Sequence, residues 1–219
     1  MIIAIDGPAA SGKGTLARRL GERYGLAVLD TGGLYRAAAL KAIEAGADPA
    51  DPAAAEAAAK RVAAADLADP RLREERIADA ASVVAAIPGV RAALLAFQRS
   101  FAHRPPPGFR GAVLDGRDIG TVVCPEAEVK LFVTATAEAR AARRFKELQE
   151  SGKVAIYQRV LQDIEHRDAR DRGRQAAPLR WADDALGLDT TALDADAAFE
   201  RAVALVEEKL AGTSRQRRP

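Results

Sequence analysis

A phosphate-binding motif near the amino terminus constrains the fold more than any other feature of this 219-residue chain. The apolar run Ile2 to Ile5 predicts a short buried strand, and the pattern from Lys13 to Tyr24 predicts a helix. The loop between them matches the spacing G-x-x-x-x-G-K. In such a loop, backbone N–H groups and a helix amino terminus converge on phosphate oxygens, and the lysine reaches the outer phosphates. The chain is therefore expected to bind a nucleoside triphosphate.

The residues expected to contact the triphosphate are Gly7, Pro8, Ala9, Ala10, Ser11, Gly12, Lys13, Gly14 and Thr15. The generic motif places Ser or Thr directly after the lysine, whereas here Gly14 intervenes. The Thr15 hydroxyl is still a candidate ligand for Mg²⁺, which is expected to be held largely through nucleotide phosphates and water.

Short apolar runs alternate with helical patterns along the rest of the chain. Four further runs predict buried strands, at 27–29, 112–114, 129–133 and 185–188. Helices are predicted at 34–45, 50–65, 74–86, 90–102, 137–149, 154–172 and 195–210, with Thr136 as the N-cap of the helix that begins at 137. Because helices that connect parallel strands cover both faces of the sheet, this alternation predicts a three-layer α/β/α fold with a five-stranded parallel sheet.

The chain length suits one core with inserted segments better than two independent domains. We expect a single domain whose core comprises residues 1–30, 110–150 and 183–212. An insert at about 31–105 and a lid at about 144–178 complete it. The insert passes quickly through Asp69-Pro70-Arg71 and is expected to be compact and helical, and the basic tail 212–219 is expected to fray.

Composition narrows the class of protein. The chain has 48% hydrophobic and 29% charged residues and contains no run as long as a membrane span, and because Met1 to Asp6 run straight into an apolar strand pattern we expect no targeting leader. We therefore expect a cytoplasmic protein with no membrane partner and, by default, a monomer. The net charge of +2 is too small to indicate a nucleic-acid partner. The lone Cys124 cannot form an internal disulfide and is expected to be a buried small residue.

Two polar segments follow predicted strands, at the end of the sheet where open α/β folds bind ligands. In Asp30-Thr31-Gly32-Gly33-Leu34-Tyr35-Arg36, Arg36 offers paired donors to an acceptor phosphate, whereas Tyr35 suits either packing or binding. The second segment is D-G-R-D-I-G-T-V-V, from Asp115 to Val123. It places acids and an arginine at a strand end, which is costly unless a ligand uses them.

These segments occur together in one family. D-T-G-x-x-Y-R combined with D-G-R-D-I-G-T-V-V, after a loop that reads G-K-G-T, resembles the cytidylate kinases, and the similarity spans nearly the whole chain. The resemblance implies a (d)CMP kinase of pyrimidine nucleotide metabolism, which uses ATP and Mg²⁺ to convert CMP and dCMP to CDP and dCDP.

The same resemblance implies a role for particular residues. Arg117 would hold the acceptor phosphate with Arg36, and Asp118 would read the cytosine edge. Ser82 and Arg91 would assist Asp118 from neighbouring helices. The remaining residue with an implied nucleotide contact in this part of the chain is Thr31.

An arginine-rich stretch, Glu165 to Arg174, alternates in charge as a solvated helix face does. However, Arg167, Asp171 and Arg174 fall at i, i+4 and i+7 and would share one face. The resemblance implies that Arg167 and Arg174 reach phosphates and that Asp171 reaches the acceptor sugar. A closing lid of this kind stabilises transferred charge and excludes water, and Arg144 is expected to belong to it.

The expected catalytic residues are Lys13, Arg117, Arg167 and Arg174. They are cations because a phosphate monoester, with a second pKa near ~6, is already an anionic nucleophile and needs no general base. The two histidines, His103 and His166, are accordingly expected at the surface.

Two other functions remain open from the sequence. Another small P-loop kinase could act on AMP, UMP or a non-nucleotide acceptor, although adenylate kinases lack the D-G-R-D segment. A nucleotide-gated binding module or GTPase-like switch is the alternative from a different class, although the guanine-reading N-K-x-D motif does not occur in this sequence.

Overall fold

The structure is a computed structural model that describes residues 1–216. Its strands are β1 (Ile2–Asp6), β2 (Ala27–Asp30), β3 (Ala112–Gly116), β4 (Val129–Thr134) and β5 (Leu186–Asp189). Its helices are α1 (Lys13–Tyr24), α2 (Thr31–Glu44), α3 (Pro52–Ala59), α4 (Glu75–Val84), α5 (Pro88–His103), α6 (Ala137–Glu150), α7 (Tyr157–Gly173) and α8 (Ala195–Gln216).

The five strands form one parallel sheet in the order β2-β3-β1-β4-β5. The central strand β1 is buried along its whole length, and successive side chains enter opposite layers. Ile3 and Ile5 pack in the core beneath α1 and α8, whereas Ala4 packs in the core beneath α2 and α5. The predicted three-layer α/β/α architecture is therefore confirmed.

Strand order positions the polar segments. Because β1, β2 and β3 are adjacent and parallel, their carboxyl ends meet at one edge of the sheet. The loop after β1 is the G-x-x-x-x-G-K segment, β2 leads directly into α2, and β3 leads into the D-G-R-D segment.

The insert is helical, as predicted, but its second helix, α3, is shorter than the predicted 50–65. Asp51 caps α3 by accepting from the N–H groups of Ala53 and Ala54, and the helix ends at Ala59. The chain then forms short 3₁₀ helices at Ala64–Ala68 and Pro70–Arg73. The Asp66 carboxylate fixes the first of these, since it accepts from Ala63 N at 2.7 Å and pairs with Lys41 at 2.8 Å.

Helices α6 and α7, which include most of the segment 144–178 predicted to act as a lid, pack on each other through a small apolar cluster. Thr136 caps α6 by accepting from Ala139 N, as predicted. Helix α7 begins at Tyr157 rather than at 154, and the preceding Val154 is fully exposed, so no packing supports an earlier start. A buried ion pair joins Arg140 of α6 to Asp168 of α7.

The carboxyl-terminal helix α8 continues to Gln216, beyond the predicted end at 210. The part of the expected frayed tail at 217–219 lies outside the described residues. Within residues 1–216, no single helix is long and apolar enough to cross a membrane, and α4 with α5 reaches that length only as a pair bent by 102°.

Candidate active site

A cleft of about 390 Å³ lies over the carboxyl ends of β1, β2 and β3 and beneath α7. It brings together nearly every residue that the sequence predicted for the site. The predicted residues that line it are Ala9, Ala10, Ser11, Gly12, Lys13, Gly14, Thr15, Thr31, Tyr35, Arg36, Ser82, Arg91, Arg117, Asp118, Arg167, Asp171 and Arg174. Gly7 and Pro8 belong to the same loop but do not line the cleft.

The loop after β1 has the backbone of a phosphate cradle. Gly7 has φ +151°, and a Cβ there would collide with the carbonyl oxygen of Val133, so the position requires glycine. Ala10 and Gly12 also have positive φ, of 58° and 89°, and Gly12 is the N-cap of α1. Left-handed residues between a strand and a helix turn successive N–H groups inward, which suits an anion.

Lys13 is buried at the floor of the cleft. Its Nζ donates to the carbonyl oxygen of Pro8 at 2.7 Å and lies 3.9 Å from a carboxylate oxygen of Asp115. Burial, reinforced by the nearby Arg117, lowers the pKa of Lys13 to about 8. Burial also raises the pKa of Asp115, against the pull of Lys13. A triphosphate at this position would place negative charge next to Lys13 and stabilise its protonated form.

The far end of the cleft contains a cluster of charged residues around Asp118. Arg91 from α5 donates to its carboxylate, and an Arg174 nitrogen lies 3.8 Å from it. The Arg91 guanidinium also lies over the Tyr35 ring, 5.4 Å from the centroid. Tyr35 is therefore both a packing residue and a wall of the cleft. Since all four side chains are largely buried, the arrangement is rigid enough to recognise a planar polar ligand.

A second cluster lies between the strand ends and α7. Arg117 Nε donates to Asp171 at 2.8 Å, and an Arg174 nitrogen lies 3.8 Å from the same carboxylate. Burial alone would raise the pKa of Asp171, but Arg117 holds it below its ordinary value. Burial and the neighbouring Arg117 lower the pKa of Arg167 to about 10. These guanidinium groups repel one another, so the cluster favours an anion between them.

Three buried polar atoms at the cleft lack a hydrogen-bond partner among the described residues. They are Ser82 Oγ, Arg167 Nε and Arg174 Nη2. A buried donor without a partner costs free energy, and unpaired groups that line one cleft are best explained by a ligand that pairs with them. All three had been predicted to bind substrate.

Eight residues that line the cleft were not predicted as site residues, and four of them are charged, namely Arg18, Asp30, Asp115 and Glu147. Asp30 accepts from Arg36 and caps α2, so it holds an arginine that was predicted to bind phosphate. The usable signal was position, since Asp30 and Asp115 end adjacent strands at the predicted ligand edge.

The remaining residues considered from the sequence are Thr31, Arg144 and the two histidines, and each has a different environment. The Thr31 hydroxyl donates to the carbonyl oxygen of Asp115 at 2.8 Å, so it joins two strand ends. Arg144 lines a wider cleft beside the first, between the lid and the insert. His103 is exposed and lies 3.2 Å from Glu126, and His166 is exposed on α7, so both are surface residues as expected.

Comparison with known proteins gives the family. The family model described as cytidylate kinase matches residues 3–208. A curated cytidylate kinase from Paramagnetospirillum magneticum is 62% identical over 208 residues, covering 95% of this chain and 98% of its own length. Another from Methylobacterium sp. (strain 4-46) is 61% identical over 212 residues, covering 97% of this chain and 99% of its own length.

The solved structures that this chain resembles are only distantly similar in sequence, so they support the fold and nothing further. A gluconokinase from Sinorhizobium meliloti 1021 aligns with a TM-score of 0.52 at 15% identity, covering 99% of this chain and 97% of its own. An uncharacterised protein from Eubacterium ventriosum aligns with a TM-score of 0.54 at 15% identity, covering 95% and 98%. The fold is thus shared with a protein named as a gluconokinase, whereas the sequence match is to cytidylate kinases. The chain belongs to the cytidylate kinase family.

Proposed function

We propose that this chain is a (d)CMP kinase, which transfers the γ-phosphate of ATP to CMP or dCMP and releases ADP with CDP or dCDP. The observation that carries the proposal is one continuous cleft, which joins a triphosphate cradle to the Asp118 and Asp171 clusters. A site for one nucleotide would need only the cradle. Membership of the cytidylate kinase family supports CMP as the acceptor.

The donor side is the segment from Gly7 to Thr15. Its backbone N–H groups and the amino terminus of α1 bind the ATP phosphates, and Lys13 moves from the Pro8 carbonyl to the β- and γ-phosphate oxygens. Phosphate contacts raise the pKa of Lys13 from about 8, which keeps the side chain cationic during transfer.

The oxygen donors beside the cradle fit Mg²⁺. Thr15 contributes a hydroxyl and Asp115 a carboxylate at the same end of the cleft. The described residues contain no cluster of three or more carboxylate, histidine or cysteine side chains suited to a metal. Mg²⁺ usually keeps several waters and binds through one or two protein oxygens plus substrate phosphates, a role open to Thr15 and Asp115. When bound, the ion neutralises charge on the β- and γ-phosphate oxygens.

The acceptor side is built from both charged clusters. Arg36 and Arg117 bind the CMP phosphate, and Asp171 accepts from the sugar hydroxyls. Asp118 accepts from the exocyclic amine of cytosine, while Ser82 and Arg91 bind the remaining polar edge. Support comes from the burial of Ser82, Asp118 and Asp171 and from the unpaired Ser82 hydroxyl.

Transfer then requires positioning and charge stabilisation rather than proton abstraction. The CMP phosphate attacks as an anion, in line with the bond to the leaving ADP oxygen. Lys13, Arg117, Arg167 and Arg174 stabilise the charge on the oxygens of the transferred group. Helix α7 covers them and limits the entry of water, which would otherwise compete as acceptor.

The cleft is completed by residues of a single chain, so we propose the monomer as the functional unit. The lone buried Cys124 suits a reducing compartment such as the cytoplasm.

An acceptor screen tests the proposed function. ADP formation is followed in a coupled assay with CMP, dCMP, UMP, AMP or no acceptor. The expected result is rapid, acceptor-dependent ADP release with CMP and dCMP. Equal rates with all acceptors, or release that needs no acceptor, would reject a (d)CMP kinase and favour another kinase or a nucleotide-hydrolysing switch.

Arg117→Ala tests the assigned chemistry. Loss of this half-buried cation should reduce kcat by about 10²–10³, as removal of a transition-state donor does. Arg170→Ala is the matched control, because Arg170 is an exposed arginine on α7 that does not line the cleft. Near-normal turnover in folded Arg117→Ala would remove Arg117 from the mechanism.

A further inference from the structure

The turn Ile119–Val123 follows directly after Arg117 and Asp118 and is held at both ends by distant side chains. It is a single wide turn of π-helix, in which Val123 N donates to Asp118 O at 3.1 Å and Cys124 N donates to Ile119 O at 2.7 Å. Isolated π turns are rare and occur often at functional sites. We infer that Asp6 and Arg99 are positioning residues that clamp this turn and thereby fix the acceptor-binding side chains before it.

Asp6 holds the first end of the turn. It is the last residue of β1, and its two carboxylate oxygens accept from Ile119 N and Gly120 N, each at 2.7 Å. A Cβ on Gly120 would lie 3.4 Å from the Asp6 carboxylate and 3.1 Å from the Lys130 side chain, so the close approach favours glycine. The two N–H groups are thus paired across 113 and 114 residues of sequence.

Arg99 holds the other end. Its Nε donates to the carbonyl oxygen of Val123 at 3.1 Å, and its Nη2 donates to that of Val122 at 3.0 Å. The carboxylate of Asp6 therefore meets the N–H end of the turn, and the guanidinium meets the carbonyl end. Burial raises the pKa of Asp6 to about 7, even though the two N–H groups of the turn favour its ionised form.

The clamp connects directly to the acceptor site. Arg99 lies on α5, and the same helix carries Arg91, which donates to Asp118. Helix α5 thus contacts both the side chain of Asp118 and the far end of the turn that follows it. Asp6 directly precedes the phosphate cradle. Displacement of the turn would move Arg117 and Asp118 relative to the cradle, although neither Asp6 nor Arg99 lines the cleft.

A carboxylate at Asp6 is costly to bury, because only 5% of this residue is exposed. An apolar residue would pack at lower cost but could not accept two N–H groups. The geometry therefore favours a positioning role over simple core packing.

Steady-state kinetics of Asp6→Asn and Arg99→Met test the clamp. The inference rests on the proposed function, because CMP is used as the acceptor. Asp6→Asn keeps the shape but loses one acceptor, and Arg99→Met keeps length but loses both donors. Each should raise KM for CMP by about tenfold, as expected when bonds of a charged group are lost. ATP affinity, measured without acceptor, should change less than about twofold, because the cradle keeps its contacts.

Three controls separate positioning from general loss of stability. Arg104→Met replaces an exposed arginine at the end of α5 that donates to Ser100. It should change neither KM for CMP nor the affinity for ATP. Arg99→Lys keeps one donor, so its KM for CMP should lie between those of the wild type and Arg99→Met. This graded series tests the clamp even if Asp6→Asn does not fold. The double variant should raise KM by less than the product of the single effects, because one freed end already releases the turn.

Two outcomes would overturn the clamp. One is an equal loss of ATP and CMP affinity, and the other is an unchanged KM for CMP in both folded variants. If the wild type prefers another monophosphate, the proposed function fails, but the clamp is then measured with that acceptor. The hydrogen-exchange rate of amides 119–123 measures the stability of the turn without any acceptor. This rate should rise in Asp6→Asn and Arg99→Met but not in Arg104→Met.

Discussion

The buried ion pair between the lid helices offers a direct test of what holds the lid. Arg140 of α6 donates to both carboxylate oxygens of Asp168 on α7, at 2.9 and 2.6 Å. Only 2% of Arg140 and 5% of Asp168 are exposed. Arg140 also donates to the carbonyl oxygens of Ala135 and of Ala9 in the phosphate cradle. The pair therefore connects the lid to the cradle.

Arg140→Met keeps the length of the side chain and removes its charge. Breaking a buried pair by removing one partner costs about 3–5 kcal/mol, because the other charge remains buried. Here the cost should be near the lower limit, since Arg172 lies 3.4 Å from Asp168 and can partly replace the lost partner. We expect a loss of about 3 kcal/mol in the free energy of unfolding, or about 6–12 °C in Tm for a chain of this size.

Guanidinium unfolding followed by circular dichroism measures the effect in a double-mutant cycle. Asp168→Leu alone should cost a similar amount, whereas Arg140→Met combined with Asp168→Leu should lose no more than about 1 kcal/mol, because no charge is then left unpaired. Lys146→Met is the control, since it removes only an exposed pair with Glu150 and should change stability by about 0.5 kcal/mol or less. Additive single effects, or singles below about 1 kcal/mol, would refute the reasoning.

Two further predictions follow from the titrating groups. Because burial lowers the pKa of Lys13 to about 8 and bound phosphate raises it, ATP binding at pH 8.5 should take up protons. Calorimetry in buffers of different ionisation enthalpy measures the uptake, Lys13→Arg should abolish it, and a buffer-independent heat in the wild type would contradict it. Burial raises the pKa of Cys124 to about 12, so thiol reagents should modify the native protein orders of magnitude more slowly than the denatured chain, and equal rates would contradict this burial.

Much of the fold could be predicted because its signals are local. Each strand is a short apolar run followed by turn residues, and Thr136 acts as a cap within its own segment. The segment after Ala59 could not be predicted in this way, since alanine favours helix wherever nothing competes. The competitor is Asp66, whose contact with Lys41 depends on a helix more than 20 residues earlier.

The candidate site likewise has parts that a local sequence signal predicts and parts that depend on distant contacts. The phosphate cradle is predictable because one continuous segment supplies its glycines and lysine. The π turn at 119–123 was not predicted, since its apolar residues give no local signal and its partners are Asp6 and Arg99. The sequence placed Asp30 and Asp115 at the ligand edge but gave them no role, because the ion pairs of Asp30 with Arg36 and of Asp115 with Lys13 are visible only in the structure.

Charge balance explains why these acids belong in a site for anions. Basic side chains that line the cleft outnumber acidic ones by seven to five. Without the acids, neighbouring guanidinium groups would repel one another more strongly, which would add to the burial and the Arg117 charge that already lower the pKa of Arg167. Asp30, Asp118 and Asp171 each hold an arginine in place through an ion pair. Substrate phosphates can then take over contacts with arginines that are already positioned, so less binding energy is spent on ordering them.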